Sequence, residues 1–125
     1  MSTKLLTAGL AGGAILLALS DPSENARAAA GRALVERRCG GCHALDVNKE
    51  GPRLRGVYDR KAAGLNEFGY SDALRKLGLR WDDASLDRWL SDHDAMAPDT
   101  DMAFRVNDTG ERKAVVAYLK SLGSR

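Results

Sequence analysis

Apolar and polar positions along this chain alternate with a helical period wherever a period is readable, and no stretch shows strand-like alternation. Ser23 or Asp21 can cap a first helix that carries Ala28, Gly31, Leu34 and Val35 toward Cys39. Residues 44–70 are rich in glycine and broken by Pro52, which predicts loop with at most one short turn of helix. Ser71 to Leu77 predict a short helix stopped by Gly78. Asp82 can cap the next helix, with Leu86, Trp89 and Leu90 on one face. Residues 91–106, with Pro98 inside, predict loop again. Asp108 and Glu111 stand at capping-box spacing and open a final helix whose apolar face is Val115, Tyr118, Leu119 and Leu122. The expected fold class is all-α, with three main helices and shorter ones. Long structureless loops in a compact domain are usually functional. Here a bound cofactor serving as core would account for them.

The first twenty residues stand apart from this pattern. Lys4 is followed by an unbroken apolar and small-residue run from Leu5 to Leu19. Such a run is shorter than the roughly 20 residues a bilayer span needs, and it suits a signal-peptide core. A cut after Ser20 would leave Ala18 and Ser20 at the selected positions, and Ala26 to Ala30 offer later sites. The expected organisation is a signal peptide over 1–20, with cleavage as late as 30, and one domain over 21–125. An uncleaved anchor is the alternative. A buried cytosolic helix suits the segment less well, because Gly9, Gly12 and Gly13 weaken it.

Composition narrows the function. The 125 residues make one domain, and the 44% apolar content suits a globular protein. A formal net charge of +2 is too weak to imply nucleic acid or a membrane surface as partner. Loss of residues 1–20 removes Lys4 and no acid, which leaves +1. Two cysteines and two histidines occur, and Cys39, Cys42 and His43 share one five-residue window.

Cys39-Gly40-Gly41-Cys42-His43 is the attachment signature of c-type haem. On a helical turn, positions i and i+3 share a face, so both thiols can reach the two vinyl groups of one haem. His43 then presents its imidazole to the iron, and Gly40 and Gly41 leave the approach clear. A thioredoxin-like pair would need a neighbouring βαβ pattern, which is absent. A zinc site needs four ligands, with adjacent Cys42 and His43 awkward together. A structural disulfide across two residues would be strained. An export leader agrees with the haem reading, because haem attachment in bacteria occurs outside the cytoplasm. Met102, in Pro98-Asp99-Thr100-Asp101-Met102, offers a soft neutral thioether for the other axial position, and the alternative for a methionine is core filling.

From about Gly31 to Lys120 the chain resembles the class I cytochromes c, the mitochondrial and bacterial soluble carriers. Gly51-Pro52-Arg53-Leu54-Arg55-Gly56-Val57 is similar to the family's Gly-Pro-x-Leu-x-Gly segment after the haem site. The resemblance implies that the Pro52 carbonyl accepts the imidazole N–H of His43. It places Arg60, Tyr70 and Trp81 among the groups that bond a haem propionate. Phe68 to Ala73, Gly78 and Trp81 keep the family's spacing, as does the run from Leu86 and Leu90 to Pro98, Thr100, Met102 and Phe104. Gly31 matches the small residue at the crossing of the first and last helices, and Tyr118 and Leu119 match the terminal Tyr-Leu pair. The implied cofactor is one covalent haem c. The implied haem-contacting residues are Cys39, Cys42, Pro52, Arg60, Tyr70, Trp81 and Thr100, with His43 and Met102 on the iron.

Departures from the family are also legible. Val35 stands where many members carry an aromatic, Trp89 where many carry Tyr, and His93 where Pro is frequent. The loop between His43 and Pro52 is short. Asp92, Asp94, Asp99 and Asp101 occupy a stretch where mitochondrial carriers place lysines, although Arg53, Arg55 and Arg105 could offset them.

The expected function is single-electron transfer between redox proteins such as a dehydrogenase, a cytochrome complex or a terminal oxidase or reductase. No enzymatic activity, small-molecule substrate or nucleic acid is expected, and the protein is expected to be a periplasmic monomer. The competing function is a haem enzyme or gas sensor with a labile sixth position, for which Met96 and His93 are alternative ligands. A subunit that accepts electrons within a dehydrogenase is a further possibility.

Overall fold

The computed structural model describes residues 22–123 together with Gly9, Gly12 and Gly13. The leader and its cleavage site therefore lie outside the described residues. Among the described residues four helices follow in order: α1 (Pro22–Arg38), α2 (Asp72–Arg75), α3 (Asp83–Met96) and α4 (Thr109–Ser121). The all-α expectation is met by three main helices and one short one.

Each start has a local cause. α1 begins on Pro22, whose missing N–H costs nothing in a first turn. Ser23 lies inside this helix and does not precede it, while Asp21 is outside the described residues. Ser71 accepts from the Leu74 amide at the head of α2. This helix is shorter than the Ser71–Leu77 span expected, and the chain turns at Gly78 with φ of +64°. Asp82 and Ser85 form a reciprocal capping box that opens α3. At α4 only half of the expected box forms. Asp108 accepts from the Glu111 amide at 2.8 Å, but the Glu111 carboxylate pairs with Arg38 at the end of α1.

The loop expected over 91–106 begins later than its composition predicts. Asp92 leaves helical geometry (φ −157°, ψ 82°), and its carboxylate accepts from the Ala95 amide at 3.2 Å. A fresh helical turn thus starts after the break and runs to Met96. Its buried residue is His93, which tucks the turn against the core.

α1 and α3 both pack on α4. At the α1–α4 crossing Gly31 is buried, and a Cβ there would run into the Ala114 carbonyl and the Tyr118 side chain. Leu34, Val35, Leu86, Leu90, Val115 and Leu119 form the centre of the core. The glycine-rich segment is tied to this core by backbone pairing. Asp59 and Ala62 donate to Trp81 and Leu79, and Trp81 donates back to Arg60, all at 2.7–2.9 Å.

Candidate functional site

Beneath the crossing helices lies a half-open cavity of about 450 Å³. Its wall is largely aliphatic and aromatic, from Val35 and Leu54 through Leu86 and Leu90 to Val115 and Leu119. Cys39, Cys42, His43, Pro52, Arg60, Tyr70, Trp81, Thr100 and Met102 all line it. Every site residue expected from sequence therefore faces one space, although these residues are spread over 64 positions.

The cysteine motif continues the helical turn of α1. Cys39 donates its amide to Val35 at 2.9 Å, and Cys42 and His43 donate theirs to Cys39 at 3.1 and 2.8 Å. Both thiols are free and reach the cavity from the same turn. Burial pushes the Cys39 thiol above its ordinary value, with the Arg38 cation opposing. Among the described residues no three or more His, Cys, Asp or Glu side chains are grouped so as to hold a metal ion, so the ligand set a zinc site needs is not assembled there.

His43 is oriented by the segment after it. Its Nδ1 stands 2.8 Å from the Pro52 carbonyl oxygen, so the imidazole donates there and Nε2 is left with its lone pair. Gly51 lies directly against the ring, where a Cβ would collide with Cε1. Gly51 is itself held by its amide bond to the Cys42 carbonyl at 2.8 Å.

Arg60 brings a half-buried cation to the wall. Its guanidinium donates to the carbonyls of Arg53 (3.0 Å) and Arg55 (2.8 Å). Burial lowers its pKa, while Tyr70 acts in the opposite direction. Tyr70 accepts from the Leu65 amide at 3.4 Å through its hydroxyl, and Trp81 is buried beside the bridge to Arg60.

Met102 is half-buried, and its Sδ accepts from Trp89 Nε1 at 3.1 Å. The two alternative ligands lie elsewhere. Met96 packs against the core and His93 is buried at 2% exposure, and neither lines the cavity. Both His93 ring nitrogens lack a hydrogen-bond partner; the Asp94 carboxylate, 3.4 Å from Nδ1, is close but not aligned to accept. The acidic stretch is also less acidic than its composition suggests. Arg105 pairs with Asp92 and Asp94 at 3.0 Å each. Arg53 and Arg55 pair with Glu67 and Asp46. Asp101 lines the cavity and Asp94 does not.

The Trp89–Met102 bond and the Arg105 bridge join residues 13 and 11 positions apart. No local spacing rule announces either. Arg105 was visible in sequence as an offsetting charge, but its partners were not.

Paired thiols on one turn, an imidazole with one nitrogen already engaged, a thioether and a half-buried cation around an apolar space fit a haem held by thioether bonds. This fold and site define a class I c-type cytochrome. The cytochrome c family model matches residues 28–123 of the chain, which belongs to that family. Cytochrome c2 iso-2 of Magnetospirillum fulvum is 41% identical over 87 residues, 67% of this chain and 91% of that protein. Cytochrome c of Euglena viridis is 36% identical over 95 residues, 74% of this chain and 93% of the other. Among solved structures, cytochrome cH from Methylobacterium extorquens aligns with a TM-score of 0.70 and 41% identity, covering 75% of this chain and 97% of that one. Ferricytochrome c2 from Rhodopseudomonas palustris aligns with a TM-score of 0.70 and 34% identity, covering 77% and 98%. The protein is an electron-carrying monohaem cytochrome with one covalent haem c, and Cys39 and Cys42 fit its attachment motif.

Proposed function

We propose that this chain is an exported carrier of single electrons between redox proteins, with His43 and Met102 as the axial ligands of its iron. The haem supplies the one-electron couple, ferrous to ferric; the protein holds it, shields it and sets its potential. One observation carries the reading: His43 and Met102 line the same cavity, and Met96 and His93 do not. With both axial positions occupied, no open site remains for a substrate or gas. The chain then acts as a carrier and not as an enzyme.

Each remaining wall residue has a role that its geometry supports. Cys39 and Cys42 form the thioethers. The Pro52 carbonyl fixes the His43 tautomer, which raises the basicity of Nε2. Arg60, with Tyr70 and Trp81, meets a propionate, and a carboxylate there would compensate the desolvated guanidinium. Thr100 holds the turn before Met102 through its amide bond to Ala97 at 3.2 Å. Residues 1–20 act as the export leader to the periplasm, where the domain works as a monomer. No helix among the described residues is long and apolar enough to cross a membrane.

The test is optical. The oxidised protein should show the near-infrared methionine-to-haem charge-transfer band. Its absence in correctly attached ferric protein would overturn the ligand assignment.

A further inference from the structure

A second, smaller cavity of about 100 Å³ lies where the end of α1 meets α4. Val35 and Tyr118 contribute to its wall from the two crossing helices, and Ala44, Leu45 and Leu54 from the loop after the cysteine motif. His43, Val35 and Leu54 also line the larger cavity, so these three residues form a common wall. The gap has a packing cause. Gly31 lets α1 and α4 touch, and Val35 stands one helical turn further on the same face. Past a crossing two helices diverge, and a valine is too short to fill the wedge that opens toward Tyr118. Protein interiors leave few voids larger than a water molecule, so an unfilled space of this size is unusual.

The space suits an apolar occupant better than water. A buried water needs about two to four polar partners. Here the backbone acceptors are already engaged. The Gly40 carbonyl accepts from Lys49 Nζ at 3.1 Å, the Ala44 carbonyl from the Leu54 amide at 3.0 Å, and the Leu45 carbonyl from the Arg55 amide at 2.9 Å. His43 Nδ1 is turned to Pro52. Glu36, the carboxylate at the wall, is exposed and pairs with Arg32 at 2.9 Å, so no net charge draws an ion inward.

We propose that this second cavity binds one small, uncharged, apolar molecule of diatomic-gas size, beside His43 and outside the haem pocket. An apolar cavity of about 150 Å³ takes benzene or xenon. The smaller space here excludes an aromatic ring and accepts a xenon atom or a two-atom gas. Glu36 and Gly40, both exposed, mark an entrance that does not cross the haem pocket. Met102 takes no part in the wall, so the site does not depend on which side chain is the second axial ligand.

The experiment uses the haem-loaded ferrous protein under xenon pressure, with methyl NMR as the readout. Signals of Val35, Leu45 and Leu54 should shift and saturate as pressure rises. With so few atoms in the ligand, affinity is on the order of millimolar or weaker. Val116, buried on α4 but on neither cavity wall, should follow only the linear solvent trend. Ala44→Leu extends a wall residue that the haem cavity does not share, and it should abolish the saturable shifts. Shifts that stay linear with pressure, or that persist undiminished in Ala44→Leu, overturn the proposal. Should Ala44→Leu fail to fold, xenon-pressurised crystals of the unaltered protein decide the matter. Xenon density between Val35, Leu54 and Tyr118 upholds the site, and ordered water or empty space there overturns it.

Discussion

The Nδ1 of His43 lies 2.8 Å from the carbonyl oxygen of Pro52, and a Cβ at the neighbouring Gly51 would collide with the imidazole. The ring is thus held by a hydrogen bond at one nitrogen, with no room beside it for a side chain at position 51. Gly51→Ala should force the ring or the 49–52 loop to shift. Overpacking of this kind costs about 1–3 kcal/mol. The expected result is a lower denaturation midpoint and a changed reduction potential.

Met102 and Met96 separate cleanly by substitution. Met102→Ala should open the iron to external ligands, lower the potential and abolish the charge-transfer band. Met96→Ala should leave all three nearly unchanged, because Met96 is absent from the cavity wall. The reverse pattern would move the ligand to Met96.

Acid stability should carry a contribution from Asp82. Bonds from the Ser85 amide and hydroxyl hold its carboxyl below the ordinary 3.8. A carboxylate with a depressed folded pKa stabilises the fold above its unfolded value and loses that contribution as pH falls through the folded value. Asp82→Asn retains a capping side chain but cannot ionise. The native protein should therefore have the higher denaturant midpoint at neutral pH, with the gap closing below pH 3.8. A gap that stays constant into acid would show that ionisation of Asp82 plays no part.

Charge near the cavity mouth should govern encounter with partners. Asp101 lines the cavity, whereas Asp94 lies off it and is bridged by Arg105. Both substitutions to lysine change the charge equally, so position decides. Asp101→Lys should accelerate electron transfer with an acidic-faced partner more than Asp94→Lys does. The advantage should fade as salt rises, since exposed charges are screened over about 10 Å at 0.1 M. Equal effects from the two variants would show that the acidic stretch is only solvated surface.

The amino-acid sequence was sufficient for much of what depends on neighbours three or four residues apart. Capping by Asp82 and Asp108 was legible because a side chain reaches only the next turn. The cysteine spacing was legible for the same reason, since two thiols on one turn need no distant partner. The resemblance in spacing then added Pro52, Arg60, Tyr70, Trp81 and Thr100 to the cysteines, His43 and Met102, and all nine of these line the cavity. Tertiary packing decided what local rules cannot reach. Glu111 left its own helix start to pair with Arg38, 73 positions away. The α3 break at Asp92 was hidden because the helical turn after it depends on burying His93. Folding also separated Met102 from Met96 and placed the Trp89 indole on the Met102 sulfur. Two methionines six residues apart are chemically identical in sequence. Only the loop's path over the core determines which one faces the cavity and which fills the packing behind it.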